Sequence, residues 1–294
     1  MSSITVTDVA ASGRAAGVLS PQSYAFLQNF IRNESGIVID ENKEYLLETR
    51  LLPVLRKENL PSLESLCARL ALRSSPGLAR QVIEAMTTHE TFFFRDTAVF
   101  DSLRQHILPA MLQRTGASRP LRIWSAAASS GQEAYSLAMQ LLELGALPSQ
   151  VEIVGTDLSE KVLERAREGK YVQFEVSRGL PSPYLLKYFT RTGLAWTVRD
   201  ELRGMVRFQP IDLRKSFTSL GLFDLVLCRN VLIYFDLETK RQVLSGLRQA
   251  LDPQGILALG SAETLLNLDC GLHRQVIGAC TFYASHKEAP CSLR

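Results

Sequence analysis

From Leu121 to Leu259 the sequence alternates short apolar runs with amphipathic stretches, and this constrains the fold more than any other feature. LRIWSA, VEIVGTD, FDLVLCRN and GILALG read as strands buried on both faces. Between them, QEAYSLAMQLLELG, SEKVLERAREG and LETKRQVLSGLRQAL space apolar residues at helical intervals. Such repetition predicts a parallel, doubly wound α/β sheet. RQVIGACTFYAS adds further strand, expected at an antiparallel edge. From about 172 to 210 the alternation lapses, and YLLKYFTRTGLAWTVRDELRGMVRFQP reads as short antiparallel strands forming a small inserted subdomain. The α/β domain is therefore placed at 120–288.

Residues 21–90 are helical in pattern throughout and read as a separate all-helical N-terminal domain. SYAFLQNFIRNESG ends on a glycine stop signal. ENKEYLLETRLLPVLRKENL carries Pro53, which is expected to kink or interrupt it by removing a backbone donor. SLESLCARLAL and GLARQVIEAMTTH follow as short helices. Residues 91–119 connect the two domains through a motif, the helix TAVFDSLRQHILPAML and the linker QRTGASRP. Residues 1–20 are small and polar and expected to be loose.

Composition narrows the function classes. The net charge of +3, from 33 basic and 30 acidic residues, is too balanced to imply nucleic-acid binding by bulk charge. The five cysteines form no Cys-x-x-Cys pair, and His89, His106, His273 and His286 are scattered, so no metal site and no disulfide framework is expected. No run approaches the ~18 apolar residues of a membrane helix, and the N-terminus has no secretory pattern. A reducing cytoplasm suits the cysteine usage.

Between LRIWSA and the helix that follows, Ser125 to Gly131 have almost no side chains. In an open α/β sheet, ligands sit beyond the carboxyl ends of the strands. The run is neither G-x-G-x-x-G nor a P-loop, and no lysine follows it to meet a phosphate. Close backbone approach without phosphate chemistry points to a nucleoside without pyrophosphate, of which S-adenosylmethionine is the common one. Asp157, closing the second strand, is placed to accept from ribose hydroxyls; its plainer reading is a helix N-cap. Glu133 can reach an ammonium group or simply complement the helix dipole. Asn230 ends a strand aimed at the same cleft and offers both donor and acceptor. Tyr234 lies close behind it; a tyrosine in an apolar setting is more often a core aromatic with a satisfied hydroxyl.

THETFFFRD (88–96), RIWSAAASSGQEAYSLAM (122–139), GTDLSEKVLERAREGKY (155–171) and LCRNVLIYFD (227–236) together resemble the chemotaxis receptor methyltransferases, the CheR-type protein-glutamate O-methyltransferases. The resemblance runs from about residue 20 to 286. It implies a helical N-terminal domain followed by a Rossmann-like methyltransferase domain with a β-subdomain. It implies S-adenosylmethionine as methyl donor and S-adenosylhomocysteine as product. The implied acceptors are glutamates on the cytoplasmic helical bundle of methyl-accepting chemotaxis receptors, reached by a cytoplasmic monomer recruited to membrane receptor arrays without inserting into the membrane. Carried over by motif, His89, Thr91, Arg95, Ala126, Glu133, Asp157, Asp212, Leu213, Asn230 and Val231 are implied cofactor contacts, and Arg95 and Tyr234 the catalytic pair. His89 stands where the family usually has Asn, and Asp212 where Asn is common. The hairpin around TRTGLAW (190–196) is shorter and poorer in glycine than in relatives that dock on a receptor pentapeptide, so independence of that tether is expected.

A carboxylate of ordinary pKa, ~4.3, is already ionised at neutral pH, so its methylation needs alignment more than a base. Arg95 suits that task by its planar fork; its plainer reading is an ion pair with Asp96. Of Phe92, Phe93 and Phe94, one or two are expected to wall the cleft and the rest to pack between the domains. Lys43, Arg50 and Lys57 are seven residues apart, with Arg56 nearby. On a continuous helix they share one face, drifting ~20° per heptad, and can meet an acidic receptor helix. Their plainer reading is a solvated face paired with Glu41, Glu44, Glu48 and Glu58. Two other classes stay open: a methyltransferase with another acceptor, and a non-catalytic S-adenosylmethionine sensor. Against base methylation, CRNVLIY is not the Asp/Asn-Pro-Pro-Tyr/Phe type.

Overall fold

A computed structural model describes residues 19–72, 75–116, 118–266, 268 and 270–286. The loose terminus expected over 1–20 lies outside them except for Leu19 and Ser20. The chain divides into two compact units, the first closing at Thr87 and the second opening at Thr88, so the stretch 91–119 belongs to the second.

The first unit contains helices α1 (Pro21–Ser35), α2 (Glu44–Lys57), α3 (Leu63–Ala71) and α4 (Pro76–Met86). Helix α1 starts where the Ser20 hydroxyl accepts from the Ser23 N–H with Pro21 in the first turn, and stops at left-handed Gly36. Pro53 does not interrupt α2, which continues through it to Lys57. Pro53 and Thr49, four residues earlier, are both exposed, so water can take the carbonyl that loses its donor. The opposite face buries Leu47, Leu51, Val54 and Leu55.

The second unit begins with α5 (Thr97–Ser102), a π-helical stretch (Leu103–Ile107) and α6 (Leu108–Thr115). One helix was expected here. The ladder instead widens, with the Leu108 N–H bonding the Leu103 carbonyl, just ahead of Pro109, which has no N–H to continue the tighter pattern. Then follow β1 (Leu121–Ala126), α7 (Gln132–Glu143), β2 (Val151–Asp157), α8 (Glu160–Glu168), β3 (Lys170–Val172), α9 (Gln173–Ser177), α10 (Ser182–Tyr188), β4 (Phe189–Thr192), β5 (Ala195–Val198), α11 (Asp200–Arg203), β6 (Val206–Pro210), β7 (Phe223–Cys228), α12 (Leu237–Ala250), β8 (Leu251–Leu259), β9 (His273–Ile277) and β10 (Cys280–Ala284).

The large sheet has the order β6-β2-β1-β7-β8-β10-β9. Its first five strands pair in parallel. At the far edge β10 runs antiparallel to both β8 and β9, as the tail sequence predicted. Side chains alternate between two cores: Leu121, Ile123, Leu225, Leu227, Ile256 and Ala258 on one face, and Trp124, Ala126, Val226, Cys228, Leu257 and Leu259 on the other. Sheet order reverses between β1 and β7, and ligands of such sheets bind beyond the strand ends at that point.

The inserted sheet is β3-β5-β4, antiparallel throughout. Its strands span Lys170 to Val198, and VRFQP is not among them. That segment is β6, parallel to β2 at the edge of the large sheet, which corrects the insertion expected over 172–210. Phe208 explains the placement. Its ring packs across Gly155 of β2, where an added Cβ would lie 2.5 Å from the ring.

At the opposite end of β7 from the strand-order reversal, the buried Asp224 carboxylate accepts from the guanidiniums of Arg114 and Arg119 and from the backbone N–H of Arg122. Burial alone would raise its pKa. The Arg119 hydrogen bond, the Arg122 N–H and the charges of Arg119 and Arg114 outweigh burial and hold it below the usual carboxylate range.

Candidate active site

Helix α7 is buried on every side from Gln132 to Leu141, and its polar side chains explain why a charged sequence tolerates this. The Ser136 hydroxyl accepts from the Phe94 N–H at 3.0 Å. The Gln140 amide donates to the Phe100 carbonyl at 2.9 Å. Both bonds fasten the 94–100 segment against the helix whose first turn faces the strand-order reversal.

The backbone around this point is strained. Ala127 (φ 63°), Ser129 (φ 51°), Phe94 (φ 52°), Asp96 (φ 61°) and Asn230 (φ 58°) are left-handed without being glycine. Each such residue costs about 1–3 kcal/mol, and such residues gather at functional sites. The turn after β1 is held open by its surroundings: the Ala128 N–H bonds the Thr156 carbonyl, and the Ser129 hydroxyl donates to the His89 carbonyl at 2.9 Å.

Three charged groups at the site are already tied together. Arg229, buried just after β7, donates to the Glu133 carboxylate at 2.8 Å, and to the Asp96 carboxylate and the Arg95 carbonyl at 2.7 Å each. The second Glu133 oxygen accepts from the Ser125 hydroxyl. Asp96 is therefore the partner of Arg229 and not of Arg95. Arg95 makes no ion pair among the described residues; its guanidinium donates to the Glu90 carbonyl at 2.8 Å and lies 5.6 Å from the Phe92 ring centroid.

Asp157 is buried at the end of β2. Its carboxylate accepts from the Ser129 and Ser159 N–H groups, while Ser159 caps α8, so the N-cap reading of Asp157 is set aside. Burial pushes its pKa up, against the Ser159 N–H, the His89 charge and the Ser129 N–H. Asp212 accepts a two-pronged contact from Arg214, which competes with any ligand there. Ala126 and Leu213 are buried, and His89, Thr91 and Tyr234 are half-buried. The Asn230 and Val231 N–H groups both bond Glu263, whereas the Asn230 amide has no protein partner among the described residues. Phe93 and Phe94 are core residues of the second unit, against Tyr171 and Phe189 and against Phe100 and Tyr184 respectively. Only Phe92 is left partly open.

Sequence reasoning missed Arg229 and Glu263. Arg229 carried a signal, a charge directly after the apolar run LVLC. Glu263 carried none, since its four N–H partners, on Asn230, Val231, Ile233 and Gly260, come together only in the fold.

In the first unit the basic residues differ in their contacts. Lys43 precedes α2 and pairs with Asp40. Arg50 turns inward and donates to the Met86 carbonyl at the end of α4, a favourable place for a cation. Arg56 and Lys57 are exposed.

The strand order, the glycine-poor first turn and the acid after β2 define a Rossmann-like methyltransferase of the S-adenosylmethionine-dependent class. Residues 89–275 match the family model described as CheR methyltransferase, SAM binding domain, and residues 22–87 match the CheR methyltransferase all-alpha domain. The chain belongs to the CheR methyltransferase family. It is 44% identical to chemotaxis protein methyltransferase 1 of Pseudomonas aeruginosa over 81% of this chain and 89% of that one. It is 40% identical to chemotaxis protein methyltransferase Cher2 of Pseudomonas putida, with the same coverage. It is 34% identical to the chemotaxis protein methyltransferase of Escherichia coli over 92% and 93%.

The residues present fit the cofactor that this class uses. The run of small residues Ala126–Gly131, buried except at Ala127, leaves backbone room, the Asp157 oxygens keep lone pairs for hydroxyls, and the Asn230 amide, without a partner among the described residues, can bond a ligand. No group of His, Cys, Asp and Glu among the described residues is arranged to hold a metal. No helix among them is long and apolar enough to cross a membrane.

Proposed function

We propose that this methyltransferase esterifies glutamate side chains of methyl-accepting chemotaxis receptors, with S-adenosylmethionine as donor. The products are glutamate methyl esters and S-adenosylhomocysteine. The observation that carries the reading is Arg95: a half-buried guanidinium, fixed through its own carbonyl by Arg229, with donors left over and no ion-paired acid among the described residues. Bound S-adenosylmethionine supplies a methyl group on a sulfonium, whose sulfur departs neutral. The chain's task is to hold a carboxylate in line with it.

Arg95 does this by a planar fork and Tyr234 by one hydrogen bond. Neither should bind too tightly, because the attacking oxygen loses charge on the way to the transition state. Asp157 and Asn230 hold the nucleoside. Glu133, already paired with Arg229, acts on the ammonium group only through its remaining lone pairs.

Arg56 and Lys57 offer charge to an acidic receptor helix. The β4–β5 connection is only Gly193–Leu194, which supports action without a pentapeptide tether. We place the protein in the cytoplasm as a monomer working at receptor arrays. The test is radioactive methyl transfer to receptor cytoplasmic fragments. Label released as methanol in base supports the ester. Base-stable label, or none, overturns it.

A further inference from the structure

Glu90 and Arg178 are both outside the residues assigned to cofactor or catalysis. The Arg178 guanidinium lies 4.2 Å from the Phe92 ring centroid, and Arg95 lies 5.6 Å from the same centroid. Two cations thus share one partly open aromatic ring, a placement that cation–π attraction favours. Glu90 is bound by both, its carbonyl accepting from Arg95 and its carboxylate from Arg178 at 2.7 Å. Both arginines also draw the Glu90 carboxyl below its ordinary pKa, Arg178 most.

Arg178 is delivered there by a deliberate backbone approach. Gly179, with φ 81°, comes so close to the THETFFFRD segment that an added Cβ would sit 2.0 Å from the Phe93 carbonyl oxygen. Only glycine permits this contact. The segment following α9 is therefore pressed against the motif that carries Arg95.

We propose that Arg178 and Arg95 form a two-guanidinium subsite that reads two acidic side chains of the acceptor, one presented to Arg95 for methylation and one to Arg178, with Glu90 occupying the Arg178 fork in the free protein. This rests on the glutamate reading above. Both cations lie over one ring, so the acceptor that fits is a helix with carboxylates one turn apart, at i and i+3 or i+4.

The test is calorimetric titration of a synthetic helical peptide with two glutamates four residues apart, in the presence of S-adenosylhomocysteine. Arg178→Ala should weaken peptide binding about tenfold and leave S-adenosylhomocysteine affinity within twofold. Glu90→Gln should tighten peptide binding, because it frees the fork. Replacing the second peptide glutamate by glutamine should abolish the difference between Arg178→Ala and the unmodified protein. The opposite signs are diagnostic, since an ion pair that only stabilises the fold would make both substitutions act in one direction. Same-sign effects, unchanged peptide affinity in Arg178→Ala, or no peptide binding by the unmodified protein overturn the subsite. Methyl transfer is scored separately. If peptide binding responds as described but no base-labile methyl appears, the glutamate reading fails and the subsite stands.

Discussion

Arg229 and Glu133 meet as a buried ion pair, Nη1 to Oε2 at 2.8 Å, joining the residue after β7 to the first turn of the helix after β1. The same guanidinium holds Asp96 and the Arg95 carbonyl. One side chain therefore couples the cofactor side of the site to the proposed carboxylate-orienting side.

Arg229→Met leaves two acids, one of them buried, without their counter-charge. Removing one partner of a buried pair costs about 3–5 kcal/mol. We expect that loss in urea denaturation, and a fall in methyl transfer from whatever protein remains folded. Glu133→Gln, which keeps an acceptor for Ser125, should cost much less.

Glu263→Gln should loosen the segment from Asn230 to Ile233. One carboxylate currently accepts four backbone N–H groups, on Asn230, Val231, Ile233 and Gly260. A glutamine turns a donor toward part of that set, and an unmet hydrogen bond to a charged group is worth about 1.5–3 kcal/mol. Hydrogen exchange at those four amides should accelerate, with weaker S-adenosylhomocysteine binding. Unaltered exchange would show that Glu263 does not hold the segment.

Asp157→Ala is expected to weaken S-adenosylhomocysteine binding about ten- to a hundredfold. Arg95→Ala should keep that affinity while methyl transfer falls at least a hundredfold. The opposite pattern would exchange the roles given to the two residues. Calorimetry and single-turnover methylation separate them.

Asp224 gives the pH dependence. Its pKa is lower folded than unfolded, so its contribution is fully present above the unfolded value of about 3.9 and is lost as pH falls through the lower folded value. In urea denaturation the unmodified protein should lose stability through that acid window. Asp224→Asn should be less stable at neutral pH by about 3–5 kcal/mol, because three arginine-bearing segments lose their shared anion, and should show a flatter acid limb.

Much of the second unit was legible because its strands are apolar on both faces and its helices are not. The turn at Ser125–Gly131 and the acid Asp157 stood out for the same reason, as small or charged residues where a buried strand stops. Val206–Pro210 was misassigned because its pattern is that of any short strand. What fixes it to β2 is Phe208 over Gly155, a contact between residues far apart in sequence. The interruption expected at Pro53 does not occur; helix propensity counts the missing donor but not the solvent that replaces it. The spacing of Lys43, Arg50 and Lys57 does not disclose their contacts within the first unit: the end of α4 binds Arg50, and Asp40 binds Lys43. Arg229 and Glu263 act through several partners each, and no local window contains those partners.

Strand β7 carries Asp224 near one end and leads into Arg229 and Asn230 at the other, roughly 15–20 Å away at strand rise. Sites so separated, sharing no partner, respond independently to substitution. Drift in the Asp224 cluster would then alter how long the protein survives without altering what it recognises, leaving selection free to tune endurance and chemistry along the same strand.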